Sequence, residues 1–346
     1  ILGYNRVSMG ISQQKHVQGS LPVLFALLGN TGITIIKFGG FFASGSGAIF
    51  SEAIHSLADT INQGLLFVGL RGSVRDADEH FAYGYGKERF FWALISACGI
   101  FFLGAGVTIY HGIELLLTKE VPHIQPILFW ILLISFIVEG FTFLFALREL
   151  RRHHPTRPVK EVLRYGDPTT IAVLYEDGVA VLGVLIALGS ILLTHYTGNP
   201  LWDALGSITI GLLLAVVAVM LIRKNRKYLI GMNIPESTRE RIIEILEADP
   251  AIDRVIDFKS SVLDIGKYHM KCEVEFNGSA LMKEIVEHAD LKGEFQDIQG
   301  DYAEFLRFLV AYVGRIPRLM GSRIDHIEKR IQKEFPEIKH IDIEIN

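Results

Sequence analysis

Three ionisable residues, Glu52, His55 and Asp59, stand inside Ala48 to Leu70, an apolar run long enough to cross a bilayer as a helix of about 20 residues. His55 and Asp59 are four positions apart, which stacks them on one helix face about one turn apart. An imidazole and a carboxylate so placed make half of a tetrahedral metal site. The bland alternative is a satisfied His–Asp pair between two helices. Ionisable groups at membrane depth mark ion or proton paths by default, which favours the metal reading. A second cluster, Glu176 and Asp177, lies in the apolar stretch LYEDGVAVLGV. Adjacent carboxylates in lipid are costly unless a cation or a proton compensates them. Their alternative is one protonated, hydrogen-bonded acid beside another at a watery mouth.

Weaker polar signals surround these two clusters. Glu139 sits in mid-segment, where a carboxylate could relay protons. Asn30, Lys37, Asn62 and Gln63 could line the same cavity. Lys37 can equally snorkel, however, and asparagines often do no more than join helices. His111 and Glu114 lie near a segment end and read as interfacial.

The elements that must hold these residues are membrane segments. Of 346 residues 50% are hydrophobic, with a formal net charge of -4, and the mean hydropathy of +0.33 blends an apolar part with a charged tail. Six runs reach spanning length: Leu21–Ala43, Ala48–Leu70, Phe90–Leu117, Ile124–Leu147, Thr170–Leu193 and Leu201–Ile222. Basic residues gather on one side. Arg6 and Lys15 precede the first run, and Arg71, Arg75, Lys87 and Arg89 follow the second. Arg148, Arg151, Arg152, Arg157, Lys160 and Arg164 follow the fourth run, and Arg223, Lys224, Arg226 and Lys227 follow the sixth, whereas the opposite loops hold only Lys119. This asymmetry puts both termini on the cytoplasm-like side. The cluster around Arg151 could also bind nucleic acid or anionic lipid, but topology explains it more cheaply. The small net charge makes no case for a nucleic-acid partner.

Three divisions follow: a flexible lead over 1–20, a transport domain over 21–229 and a soluble domain over 230–346. The start at Ile1, without Met, reads as a processed or trimmed end that would hide any targeting peptide. Cys98 and Cys272 form no disulfide framework and no cysteine zinc site. Without a P-loop, a nucleophile elbow or a Gly-rich nucleotide fingerprint, neither an enzyme nor nucleotide-driven transport is expected.

In the tail, Pro235 to Ala248 has a helical apolar side made by Ile242, Ile243, Ile245 and Leu246. Tyr268, Met270, Cys272, Val274 and Phe276 alternate with polar residues as a half-buried strand, and Ile341, Ile343 and Ile345 do the same. A weaker strand covers Val255 to Val262, and a long helical region runs between Gly278 and Phe335. Helix, strand, strand, helix, strand predicts an α+β sandwich with the sheet on one side.

Six stretches in order carry a family resemblance: SEAIHSLADT at 51–60, GYGKER at 84–89, GAGVTIYHG at 104–112, LYEDGVAVLGV at 174–184, TGNPLWDALGS at 197–207 and the terminal HIDIEI. They resemble the cation diffusion facilitators, and among them the zinc-transporter-nine type, from about Leu21 to the C-terminus. The resemblance implies a homodimer in the lipid bilayer that exchanges a divalent cation, usually Zn2+, for protons by alternating access. It implies no prosthetic group, since zinc is the cargo. The family's site joins HxxxD or DxxxD of the second segment to HxxxD of the fifth, which carries over to His55, Asp59 and Asp177. The family's second histidine falls on Val173, which cannot bind metal. Glu176, shared by the subgroup, is the candidate fourth ligand, with water, Asn62 or Glu139 as alternatives. Glutamate is long enough to bend back toward the site, most easily if Gly178 lets the helix distort.

In the loop after the second segment, Asp78 matches an acid of a further family metal site. Phe81 and Tyr85 stand at its histidine positions and His80 is displaced, so no tightly held metal is expected there. The tail resembles the family's metallochaperone-like, ferredoxin-like domain, with a helical insertion within about 280–320. There His269, Asp342 and Glu344 form either a metal site or a solvated polar face. The subgroup implies the mitochondrial inner membrane for a eukaryotic source, with export from the matrix, and the plasma membrane for a prokaryotic one. Metal binding needs a neutral imidazole and ionised carboxylates, so Zn2+ and protons compete for the same groups. The ligand set also suits Mn2+ or Co2+, and a zinc sensor or scaffold that has lost transport is the rival from another class.

Overall fold

The computed structural model describes residues 20–118, 122–153, 168–288, 291–298 and 300–346. The lead expected over 1–20 and the basic residues between 154 and 167 fall almost wholly outside this set. The described chain divides into two compact units, one drawn from Ile1–Arg75 and Glu88–Arg226, the other from Asp76–Lys87 and Lys227–Asn346.

Among the described residues, the regular elements of the first unit are all helices. Its helices are α1 (Ser20–Ser44), α2 (Gly47–Ser73), α3 (Glu88–Gly99), α4 (Val107–Thr118), α5 (Pro126–His153), α6 (Pro168–Thr197) and α7 (Leu201–Ile230). By length and composition, four helices among the described residues suit a membrane crossing: Glu88–Thr118, Pro126–Phe145, Leu174–Thr197 and Leu201–Ile230. The other two expected spans, α1 and α2, are helices of 25 and 27 residues. Their apolar sequence is interrupted by Lys37 on α1 and by Glu52, His55, Asp59 and Asn62 on α2.

Between α3 and α4 the chain winds as a π-helix over Ile100–Gly106. The apolar pattern of the third segment gives no sign of it beyond Gly104 and Gly106. Further along, the missing side chain of Gly112 admits Ile208, and that of Gly211 admits Ile109; a Cβ at either would stand 2.7 Å from the facing isoleucine. Glycines on both partners thus let α4 and α7 pack closely, as small residues do between membrane helices. The core around them joins Ala48, Ile49, Ala97, Val184, Ala187 and Leu214.

The N-terminus of α2 is capped from another helix. Asp203, in the first turn of α7, accepts hydrogen bonds from Ser46 Oγ (2.7 Å), Gly47 N (2.6 Å) and Ala48 N (3.2 Å). A carboxylate satisfies the orphan amides of a helix start and suits its dipole. This contact fixes the helix that carries His55 and Asp59.

The second unit contains α8 (Glu236–Glu247), β1 (Ile252–Asp264), β2 (Lys267–Phe276), α9 (Gly278–His288), α10 (Leu291–Asp297), α11 (Tyr302–Glu334) and β3 (Ile338–Ile345). The strands form one sheet in the order β1-β2-β3, antiparallel at the first pairing and parallel at the second. Met270, Cys272 and Val274 of β2 are buried against Ile242, Ile245 and Leu246 of α8 and Ile327 and Ile331 of α11. Burial pushes the Cys272 thiol up to about 12. The last alternating residue, Ile345, was expected inside and is 52% exposed, because β3 ends at the sheet edge there.

Candidate metal centre

The face of α2 that carries His55 is buried. His55 is 3% exposed, and neither ring nitrogen has a hydrogen-bond partner among the described residues. Its Nε2 lies 3.4 Å from Asp59 Oδ2, the one-turn approach that their spacing dictates. Asp59 acts electrostatically on both Glu176 and Asp177 of α6, and His55 acts on Asp177. The Glu176 carboxylate accepts a 2.9 Å hydrogen bond from Asn62 Nδ2. Asn62 in turn accepts from Ser96 of α3 at 2.6 Å. Among the described residues, no three His, Cys, Asp or Glu side chains converge closely enough to hold one ion. Val173 lies in α6, and its side chain is outside the described set.

Lys37 does not snorkel. Its side chain is 0% exposed, and its Nζ donates to Glu52 Oε2 (3.0 Å) and Glu139 Oε1 (2.7 Å). The reason is geometric: Lys37 on α1 meets two acids in the interior of the helical unit, so its charge is compensated without reaching solvent. Glu139, the expected proton carrier, therefore spends one oxygen on an ion pair, while its Oε2 is buried without a partner among the described residues. Glu52 is more deeply buried, its side chain 0% exposed against 13% for Glu139, and Gly183 of α6 makes room for it, since a Cβ there would collide with Glu52 Oε1.

The distortion that would most easily bring Glu176 into the site is not seen: α6 runs as an unbroken α-helix from Pro168 to Thr197. Gly178 instead serves a close approach, since a Cβ there would stand 3.3 Å from Phe143 of α5. The sequence reading also gave no partner to Lys37 or Glu52 and missed Ser96 and Asp203. Charge at membrane depth was the available signal for three of them. Ser96 offered none, because a serine in an apolar helix is ordinary.

The peripheral residues fall into separate arrangements. Asp78 Oδ1 accepts from the backbone of His80 (2.9 Å) and Phe81 (3.0 Å), and Oδ2 accepts from Tyr85 (2.6 Å), so protein donors engage both oxygens. On the sheet, His269 Nε2 is 2.8 Å from Asp342. Glu344 pairs instead with Lys271 at 2.6 Å. His111 Nδ1 lies 3.5 Å from Glu114, and its ring packs at a tilt against Phe50, with 4.4 Å between centroids.

Comparison with known proteins gives this helical unit relatives. The family model described as the cation efflux transmembrane domain matches residues 23–230. The proton-coupled zinc antiporter SLC30A9, mitochondrial, of Mus musculus is 40% identical over 319 residues, as is that of Homo sapiens. The match covers 89% of this chain and 55% of either antiporter, so the chain spans about half the length of these curated relatives. Metal tolerance protein C4 of Arabidopsis thaliana is 36% identical over 330 residues, covering 93% of this chain and 72% of that one. A family match over more than half the chain, on the helices that carry His55, Asp59 and Asp177, makes this chain a member of the cation diffusion facilitators, of the zinc-transporter-nine type.

Proposed function

We propose that this chain is a proton-coupled antiporter that exports Zn2+ by alternating access. The observation that carries the proposal is the pair on α2, a buried imidazole with two unpartnered nitrogens 3.4 Å from the Asp59 carboxylate. Two ligands of a tetrahedral ion with bonds of about 2.0–2.1 Å stand roughly 3.3 Å apart. His55 and Asp59 thus need little movement to share an ion. Asp177 is the third ligand and Glu176 the fourth, in the place a histidine at Val173 would take. Binding then requires α2 and α6 to draw together, which is one half of an access cycle.

Loading needs a neutral His55 and ionised acids, so each bound Zn2+ displaces protons and each returning proton loosens Zn2+. Glu139 is the proposed proton carrier. The same ligands would accept Mn2+, and the zinc antiporters among the relatives support zinc. The proposal extends to architecture. Residues 21–229 cross the membrane six times after a lead over 1–20, and 230–346 form a metallochaperone-like domain with a helical insertion. Both termini face the matrix or cytoplasm, where the basic residues gather. The unit acts as a homodimer, in the mitochondrial inner membrane of a eukaryote or the plasma membrane of a prokaryote.

Uptake into proteoliposomes under an imposed proton gradient, run separately with Zn2+ and Mn2+, tests this. The expected result is zinc uptake that dissipates the gradient and exceeds manganese uptake. Faster manganese uptake would change the cargo, and uptake of neither metal would leave a sensor or scaffold.

A further inference from the structure

Three side chains from three helices form a hydrogen-bonded line that ends on the candidate fourth ligand. Ser96 of α3 is 3% exposed and Asn62 of α2 is 4% exposed. Ser96 Oγ donates to Asn62 Oδ1 at 2.6 Å, and Asn62 Nδ2 donates to Glu176 Oε2 at 2.9 Å. With Glu176 ionised, as a metal ligand must be, its carboxylate only accepts, so the amide turns its NH2 toward Glu176 and its carbonyl takes the hydroxyl proton of Ser96. That carbonyl is the one amide atom suited to a metal ion, and it faces Ser96 while the NH2 faces Glu176. Asn62 is therefore a poor fourth ligand and a good holder of one.

Its place on the helix supports the same role. His55, Asp59 and Asn62 are spaced four and three apart, which puts them on one face of α2 over two turns. We propose that Asn62 is a positioning residue of the metal centre: it holds the Glu176 carboxylate toward α2, and Ser96 fixes the orientation of its amide. The inference rests on the reading of Glu176 as a ligand. It also explains how a long, flexible glutamate on a regular helix can replace a rigid imidazole one turn earlier. Partners of this kind orient ligands in metal sites generally, and their loss typically costs about 10- to 100-fold in metal affinity.

The test is zinc uptake by the full chain in proteoliposomes, with KM and maximal rate measured for Asn62→Leu, Asn62→Asp, Ser96→Ala, Glu176→Gln and Asn62→Leu/Glu176→Gln. Asn62→Leu should raise KM for Zn2+ by about 10- to 100-fold and change the maximal rate less. Asn62→Asp keeps the size and the Ser96 bond but turns an anion toward Glu176, so its KM should rise at least as far. Ser96→Ala should move KM the same way by a smaller factor. The double variant should resemble Glu176→Gln alone, because Asn62 acts through that carboxylate. A merely structural role would lower the maximal rate and add to the Glu176 effect. If Glu176→Gln raises KM while Asn62→Asp does not, or if the Asn62 and Glu176 effects multiply fully, the positioning role is wrong and the ligand reading stands. If Glu176→Gln leaves zinc uptake unchanged, the ligand reading itself fails. Asn62→Asp decides should Asn62→Leu not fold.

Discussion

Two groups of carboxylates lie within the helical unit, and they are compensated differently. Glu52 and Glu139 share the ammonium of Lys37, a cation built into the chain and bonded to both. Asp59, Glu176 and Asp177 have no lysine or arginine within ion-pair distance among the described residues, and act on one another electrostatically. A buried acid needs a cation, a proton or hydrogen-bond donors. Where the chain supplies the cation permanently, the acid becomes part of the framework, tying α1, α2 and α5 together. Where it does not, the acids are left for a charge that can come and go. The second group also includes the unpartnered imidazole of His55, which the first lacks. The difference sets the framework group apart from the proposed site.

The largest effects should come from the exchangeable group. Asp59→Ala and Asp177→Ala are each expected to abolish zinc uptake in proteoliposomes, with expression and assembly largely retained. Each removes a proposed ligand without stranding a lysine. Wild-type uptake in either variant would show that the site has been drawn around the wrong acids. The framework group should respond through stability instead. Lys37→Met leaves two acids buried without their cation, and breaking a buried pair in this way costs about 3–5 kcal/mol. The triple variant Lys37→Met/Glu52→Gln/Glu139→Gln removes all three charges and should recover most of that loss in thermal unfolding. If the single variant unfolds at the wild-type temperature, Lys37 is not part of the framework.

How much of this was legible depended on whether a contact was local. The meeting of His55 and Asp59 follows from an i, i+4 spacing and needed no fold. The Lys37–Glu52 and Lys37–Glu139 bonds span 15 and 102 positions and depend on how three helices are rotated. Lys37 could therefore be read only as lining the cavity or snorkelling, without its two partners. The Asn62–Glu176 bond spans 114 positions, and Asn62 was readable as a cavity-lining residue or an alternative fourth ligand, not as a partner of Glu176. In the tail, β2 could be read from its alternation. The weaker β1 was bounded at Val255 to Val262, short of the observed Ile252–Asp264, because irregularities between Ile252 and Arg254, Val255 and Asp257, and Val262 and Asp264 shift the faces of its residues. The π-helix left no periodic trace, since nearly every residue in that stretch is apolar.

An intermediate effect is expected at Glu176. Glu176→Gln keeps the size and an acceptor for Asn62 but removes a titrating ligand. Zinc binding should weaken by roughly tenfold or more, and fewer protons should move per ion. Adding Val173→His restores an imidazole one turn before Asp177 and should recover part of both. Isothermal titration with Zn2+ in buffers of different ionisation enthalpy measures affinity and proton release together. Unchanged affinity would pass the fourth position to water or to Glu139.

The smallest effect sharpens the contrast from the second unit. Arg254 and Glu275 are directly paired across β1 and β2, with a 2.6 Å contact between Arg254 Nε and Glu275 Oε2. By distance alone this bond is at least as good as those of Lys37. The difference is solvent: these side chains are 67% and 42% exposed. Water screens the attraction, and the unpaired partner can be hydrated when the other is removed. A cross-strand pair of this kind contributes about 0.2–1 kcal/mol. A double-mutant cycle with Arg254→Ala and Glu275→Ala, read by chemical unfolding of the second unit's transition, should therefore give a coupling below about 1 kcal/mol that shrinks further in added salt. The same cycle on Lys37 and Glu52 should give a larger coupling that salt hardly changes. Equal couplings for the two pairs would mean that burial is not what sets the framework triad apart.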